Sequence, residues 1–131
     1  MLHITPFYAG IFGLMLVGLS WRIMKMRAKL DVMVGDGGER NLDVAVRIQG
    51  NFIEYVPMAL LLMAFCELEG WSPAIIHAFG LSLLVARVAH VHGMSQKNAA
   101  GWGRRFGAKL TFGVIIAASL LCLASLAGFR L

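Results

Sequence analysis

Polar side chains enter an apolar segment where Arg47-Ile-Gln-Gly-Asn-Phe-Ile-Glu-Tyr-Val-Pro57 runs directly into Met58-Ala-Leu-Leu-Leu-Met-Ala-Phe-Cys66. A basic, an amide and an acidic group thus stand at the start of a segment that is apolar enough to cross a membrane. Ionisable side chains at membrane depth are costly, and they usually face a bundle interior or a water-filled cavity. The function is therefore expected to lie in this segment.

The composition indicates an integral membrane protein. The chain has 131 residues, of which 59% are hydrophobic and 15% charged, and its mean hydropathy is +0.74. A soluble domain of this size cannot bury so much apolar surface. A membrane helix takes about 20 residues, and the sequence has apolar stretches of that kind at about Thr5–Met24, Val44–Leu68, Pro73–His92 and Gly107–Phe129. The prediction is an all-α, integral membrane four-helix bundle that forms a single domain.

The distribution of charge predicts the orientation in the membrane. The connection from Arg22 to Asp43 is rich in Arg and Lys, and a second basic connection carries Lys97, Arg104, Arg105 and Lys109. The turn from Glu67 to Pro73 has acids and no base. Because basic loops stay in the cytoplasm, both termini are expected on the opposite side. Topology and anionic lipid account for the net charge of +5 and the pI near 9.8, so we expect no nucleic-acid partner.

Helical spacing groups the polar residues of the second and third spans. Arg47, Asn51 and Glu54 lie on one stripe of a helix, with Tyr55 on its flank. In the third span Arg87 and His90 share a face. An alternative interpretation makes Arg87 the countercharge of Glu54, in which case part of the stripe is a structural ion pair.

We expect the two cysteines and the small residues of the spans to have structural roles. Cys66 and Cys122 lie in separate spans without a Cys-x-x-Cys pair, so we expect packing residues and no metal site. Small residues such as Gly10, Gly13 and Gly18 favour close helix packing, either within one bundle or between subunits.

The pattern Arg-x-Gln-x-Asn-x-x-Glu-Tyr from Arg47 to Tyr55, and Arg-Val-Ala-His from Arg87 to His90, carry a family resemblance. Together with the membrane spans they resemble the membrane-associated proteins in eicosanoid and glutathione metabolism (MAPEG), and the bacterial members are the most similar in style. That family includes microsomal glutathione transferases, leukotriene C4 synthase and prostaglandin E synthase. The resemblance implies a homotrimer in the bacterial inner membrane that binds glutathione between adjacent subunits near the cytoplasmic face.

The resemblance also implies site residues. Those matching glutathione-binding positions are Arg47, Gln49, Asn51, Glu54, Tyr55, Arg87, His90 and, by loop spacing alone, Arg27. The family's catalytic arginine, at the start of the fourth span, matches Arg104 or Arg105, with Arg104 preferred. Met94 stands where the eukaryotic enzymes have a second tyrosine, so leukotriene or prostaglandin synthesis is not expected.

The chemistry of these residue types agrees with glutathione as co-substrate. The tripeptide carries two carboxylates and an amino group, so Arg47 suits a carboxylate, Glu54 the amino group and Asn51 the peptide-like portion. A thiol with a pKa near 8.5 is only a few per cent ionised at neutral pH, and a nearby guanidinium favours the thiolate. The predicted function is a glutathione transferase or peroxidase acting on lipophilic electrophiles or lipid hydroperoxides that enter from the bilayer.

Two other classes of function remain open. A non-catalytic membrane assembly protein would use the polar stripe only to fix helix register. A small transport or proton-relay module would be built on Glu54, Arg87 and His90, and a chain of acids across several helices would favour it.

Overall fold

The computed structural model describes residues 1–96 and 101–128, except for the side chain of residue 126. Within them it contains no strand and the four helices α1 (Ile4–Leu30), α2 (Arg40–Leu68), α3 (Pro73–Ser95) and α4 (Trp102–Leu126). All four are long and apolar enough to cross a membrane. The predicted all-α membrane bundle of four helices is confirmed.

The helices are longer than the predicted spans at one end of the bundle, where α1 and α3 end and α2 and α4 begin. The predicted limits there are Met24, His92, Val44 and Gly107, whereas the helices reach Leu30, Ser95, Arg40 and Trp102. Hydropathy marks only the part of a helix in hydrocarbon, and Lys and Arg are good helix formers, so the helices continue into water. We call this end, which carries Arg22, Arg27, Arg40, Arg104 and Arg105, the basic end. The predicted end at Phe129, and Lys97, lie outside the described residues.

The helices follow one another around the bundle in the order α1, α2, α4 and α3. α2 contacts the other three and touches α3 across the diagonal, whereas the described parts of α1 and α4 do not contact each other. Apolar side chains such as Phe12, Phe52, Met63 and Leu83 fill the centre. The buried set also includes the fully buried guanidinium of Arg87. The candidate site lies at the same depth in the bundle as this buried charge.

The acid Glu67, near the end of α2, caps the N-terminus of α1. Its Oε1 accepts hydrogen bonds from the backbone N–H groups of His3 (2.6 Å) and Ile4 (2.8 Å), and its Oε2 accepts one from Thr5 (2.7 Å). The N-cap residue His3 makes no side-chain cap hydrogen bond. Because the first N–H groups of a helix lack partners within the helix, Glu67 acts as an N-cap supplied from another helix.

Glycines bring α3 and α4 into backbone contact at the basic end. A Cβ on Gly93 would collide with the backbone of Gly103 and Arg104, and a Cβ on Gly107 would collide with Ala86 and His90. By contrast, Gly10, Gly13 and Gly18 of α1 have no neighbouring atom within 4 Å of an added Cβ. The close packing expected at those three positions is therefore not packing within this bundle.

One face of α2 is not fully covered by the other described helices at any point along its length. Its residues recur at alternating intervals of four and three, and all are exposed or half-buried: Arg40, Val44, Arg47, Asn51, Glu54, Met58, Leu61, Phe65 and Leu68. We call this row the outer seam. Apart from Val44 it is polar from Arg40 to Glu54, and it is apolar from Met58 to Leu68. Alternation of three and four is the spacing of helices that associate through a continuous stripe.

Candidate functional site

A cavity of about 360 Å³ lies at the basic end between α2, α3 and α4. We call it the basic-end pocket. Its lining consists of Arg40, Asp43, Val44, Arg47, Asn51, His90, Met94, Arg104 and Ala108. Its volume falls within the range of about 300–1,000 Å³ that is usual for small-molecule sites. Three arginines against one carboxylate make it suitable for an anionic ligand.

α2 supplies most of the polar lining because it begins earlier than hydropathy predicts. Since the helix starts at Arg40, Arg40 and Asp43 share the helical face that carries Arg47 and Asn51. Sequence reasoning missed Arg40 and Asp43. The signal was present, because both continue the stripe of Arg47 and Asn51 toward the N-terminus at intervals of three and four residues.

Arg87 lies directly behind the pocket wall and does not line the cavity. Its Nη2 donates a hydrogen bond to Oδ1 of Asn51 at 2.8 Å and lies 3.4 Å from Nδ1 of His90. Its Nε and Nη1 have no hydrogen-bond partner among the described residues, and its Cζ lies 5.7 Å from the centre of the Phe52 ring. Arg87 thus orients two residues of the pocket wall, and Asn51 keeps its amide N–H groups for other partners.

The first turn of α4 brings Arg104 to the pocket. The backbone N–H of Arg104 donates to the carbonyl of Gly101 at 3.1 Å, and Gly103 packs against the backbone of α3. These contacts fix the rotation of α4 about its axis. As a result Arg104 lines the cavity and Arg105 does not, although both residues are exposed.

Glu54 and Tyr55, which were expected in the site, also lie outside the basic-end pocket. Glu54 is exposed on the outer seam, about one turn beyond Asn51. The ion pair with Arg87 that sequence analysis left open does not form, because Arg87 is turned inward to Asn51 and His90. Tyr55 is half-buried and packs edge-to-face against Phe112 of α4, with ring centres 5.3 Å apart.

Gln49 and Arg27 are turned away from the pocket. The side-chain amide of Gln49 donates to the hydroxyl of Ser20, which holds α2 against α1. Arg27 donates to the carbonyl oxygens of Gly35 (2.7 Å) and Val32 (3.5 Å), and so closes the connection between α1 and α2. Within one subunit both residues have structural contacts in place of the expected ligand contacts.

The two cysteines meet in the described structure although they belong to different helices. Sγ of Cys66 lies 3.6 Å from Sγ of Cys122, and both thiols are free. Sγ of Cys66 also contacts the carbonyl oxygen of Ala118, and Sγ of Cys122 that of Leu62, as packed thiol groups do.

Comparison with known proteins identifies the family. The sequence model of the MAPEG family matches residues 5–124, a range that includes every residue lining the basic-end pocket. The chain belongs to the MAPEG family. Inner membrane protein YecN of Escherichia coli strain K12 is 35% identical over 94 residues, which cover 72% of each chain. The protein of the same name from Escherichia coli O6:H1 has the same identity and coverage. The resemblance to a bacterial MAPEG protein is thereby confirmed.

Proposed function

We propose that this MAPEG protein binds glutathione in the basic-end pocket and uses its thiolate to attack lipophilic electrophiles or lipid hydroperoxides. The observation that carries the proposal is the convergence of Arg47, Asn51, His90 and Arg104, from three helices, on one cavity. Separate topology signals or snorkelling residues have no reason to meet around a single space.

The charges of the pocket match those of the tripeptide. Arg40 and Arg47 suit its two carboxylates, because a guanidinium binds a carboxylate by paired hydrogen bonds. Asp43 is the acid within the pocket and suits the amino group, a role that sequence analysis gave to Glu54. Asn51, oriented by Arg87, suits the peptide portion.

Arg104 is the candidate for thiolate stabilisation. It lies across the cavity from α2, and its positive charge lowers the free energy of the anionic sulfur relative to the thiol. In conjugation the thiolate forms a carbon–sulfur bond and expels the leaving group of the electrophile. With a hydroperoxide the thiolate breaks the O–O bond and takes the terminal oxygen, so an alcohol and glutathione sulfenic acid form after protonation. A second glutathione then gives the disulfide and water.

The proposal includes a homotrimer, because a neighbouring copy would cover the exposed residues of the outer seam. Glu54 is exposed at membrane depth on the seam, and Leu61, Phe65 and Leu68 continue it without polar groups. An isolated carboxylate facing lipid is costly, whereas a neighbouring copy that covers the seam supplies a polar environment. The same contact closes the exposed side of the basic-end pocket, since Arg47 and Asn51 belong to the seam. Glu54 then reaches a ligand held between two copies.

The proposal also gives the membrane in which the chain lies and its orientation there. YecN is an inner membrane protein, and we place this chain in the bacterial inner membrane with its basic loops in the cytoplasm and its termini on the other side. The basic-end pocket then opens to the compartment that contains glutathione, and the lipophilic acceptor enters sideways from the bilayer.

Calorimetric titration of glutathione into the detergent-solubilised protein tests the site. Arg47→Ala is expected to weaken binding about tenfold or more, because a hydrogen-bonded charge contributes about 1.5–3 kcal/mol, and Glu54→Ala is expected to weaken it also. Arg104→Ala is expected to keep binding but to lose the thiolate absorbance and the conjugating activity. Arg105→Ala is the matched control, with the same change of charge one residue away.

Two outcomes would contradict the proposal. Unchanged affinity in Arg47→Ala would remove the pocket as the glutathione site. Equal loss of thiolate absorbance in Arg104→Ala and Arg105→Ala would show that a general loss of positive charge, and not the position of Arg104, is responsible.

A further inference from the structure

A second cavity, of about 350 Å³, lies at the basic end on the α1 side of α2. We call it the arginine groove. Its lining comes from α1, α2, α3 and the residue after α3, and consists of Arg22, Arg40, Asn41, Val44, Met94, Ser95 and Gln96. It adjoins the basic-end pocket through Arg40, Val44 and Met94 but has no residue of α4 in its wall.

The arginine groove has the donor set of an anion site. Two guanidinium groups line it together with the amides of Asn41 and Gln96, and none of the described lining residues is acidic. Ser95 also lines the groove, but its hydroxyl donates to the carbonyl of Val91. The basic-end pocket differs in containing Asp43. Arginine is well suited to phosphate, because its planar fork donates two parallel hydrogen bonds.

Arg22 is directed across the groove. Its Nη1 lies 3.5 Å from Oγ of Ser95 on α3, at the limit of a hydrogen bond. An arginine that only marks topology extends into water or toward lipid headgroups beside its own helix. A contact with another helix instead holds the guanidinium above the cavity, where a stronger acceptor is able to replace the serine hydroxyl.

The groove lies where the apolar surface of the bundle meets its basic end. Trp21 and Met24, on either side of Arg22, are exposed, and exposed tryptophan is typical of the membrane interface. Gly18 lies one turn from Arg22 toward the membrane centre, and nothing lies within 4 Å of a Cβ added there. A ligand with a phosphate and an acyl chain is thus able to fit both the groove and the open helix surface below it.

We propose that the arginine groove binds the phosphate of an anionic glycerophospholipid such as phosphatidylglycerol. Arg22 and Arg40 neutralise the phosphate, the side-chain amide of Asn41 donates to one of its oxygens, and one acyl chain follows α1 past Gly18. The groove is separate from the basic-end pocket but shares Arg40 with it, so Arg22, which lines only the groove, is the residue that tests the proposal. It anchors three helices to a headgroup beside the basic-end pocket and so links lipid composition to the shape of the shared wall at Arg40.

Native mass spectrometry of the detergent-solubilised protein tests the proposal. The probes are phosphatidylglycerol, phosphatidylcholine and inorganic phosphate, added separately to wild type, Arg22→Gln and Lys25→Gln. The expected result is preferential binding of phosphatidylglycerol to wild type, about tenfold weaker in Arg22→Gln. Lys25→Gln is the matched control, because it removes a positive charge from the same helix, one turn away and outside the groove.

Each outcome has a defined meaning. If inorganic phosphate binds as tightly as the lipid and also depends on Arg22, the groove is a phosphate site but the lipid assignment is overturned. Equal binding of the two lipids, or equal loss in Arg22→Gln and Lys25→Gln, overturns the site itself. Glutathione titration of Arg22→Gln should match wild type, which separates a local effect from misfolding.

Discussion

Arg87 is the residue that connects the interior of the bundle to the basic-end pocket. It is fully buried, and Asn51 accepts its short hydrogen bond. A buried charge is costly to desolvate and becomes more so when its partner is removed. Removal of the acceptor and removal of the charge should therefore have different effects on stability.

Asn51→Leu is expected to destabilise the protein by about 1–3 kcal/mol, because it leaves the buried Arg87 guanidinium without this acceptor. Arg87→Met should cost less, since it removes the charge together with its desolvation. Both variants should bind glutathione more weakly. Thermal unfolding in detergent measures which variant is less stable, with Lys29→Ala, a truncation of an exposed side chain on α1, as control. A larger loss of stability in Arg87→Met would contradict this account.

At the residue scale, sequence predicts which residues can share a face but not where a helix begins. Arg47 and Asn51 line the pocket as their spacing predicts. Gln49 was predicted as a site residue from the family resemblance. A position two residues from Arg47 lies on the far side of the helix, however, and there Gln49 contacts Ser20. Arg40 and Asp43 were missed because hydropathy places the start of the span at Val44.

At the element scale, the contact between α3 and α4 depends on glycines. Gly93, Gly103 and Gly107 allow the two backbones to touch, and this contact determines which arginine of α4 faces the pocket. The choice between Arg104 and Arg105 was left open by sequence because one residue rotates a helix position by about 100°. Only the packing partner fixes that rotation.

Gly107→Ala is expected to push α4 away from Ala86 and His90. The expected cost is about 1–3 kcal/mol, with weaker glutathione binding as Arg104 and His90 separate. Gly113→Ala on the same helix is the control, because an added Cβ there has no neighbour within 4 Å. Alanine at that position should leave stability unchanged or raise it slightly. Similar destabilisation by both changes would indicate a general effect on α4.

Glu67→Gln is expected to loosen the start of α1. The amide oxygen of the variant side chain still accepts hydrogen bonds from backbone N–H groups, but its N–H₂ group faces the third backbone donor. At least one hydrogen bond to a charged acceptor is therefore lost, and such a bond contributes about 1.5–3 kcal/mol to stability. Hydrogen exchange at His3, Ile4 and Thr5 should accelerate. Glu39→Gln, an exposed acid without a side-chain cap hydrogen bond, is the control. Unchanged exchange would show that the carboxylate charge is dispensable.

At the scale of the whole molecule, the outer seam is a surface of α2 that the other described helices leave open. Hydropathy and charge were sufficient to predict four membrane helices. They did not distinguish contacts inside the bundle from contacts between copies, because lipid, a neighbouring helix and a neighbouring subunit all favour apolar residues. Only the direction of each side chain reveals that the seam points outward.

Leu61→Asn is expected to dissociate the proposed trimer in detergent and to weaken glutathione binding together with it. The change places an amide at the centre of the apolar half of the outer seam. Leu81→Asn is the control, because α3 lies diagonally opposite α2 and Leu81 is also exposed. Light scattering measures the mass of the protein complex and so distinguishes the Leu61→Asn variant from the Leu81→Asn variant. A Leu61→Asn variant that keeps the mass of wild type would exclude the seam as the subunit contact.

The carboxylate of Glu67 reaches the start of α1 from a position 62 to 64 residues later in the chain. During synthesis the first helix consequently leaves the ribosome with these three amide groups lacking their acceptor, and it gains that acceptor only after the second helix has been made and threaded through the bilayer. The first turn of the first helix is therefore expected to be fixed in place only after the second helix has been made.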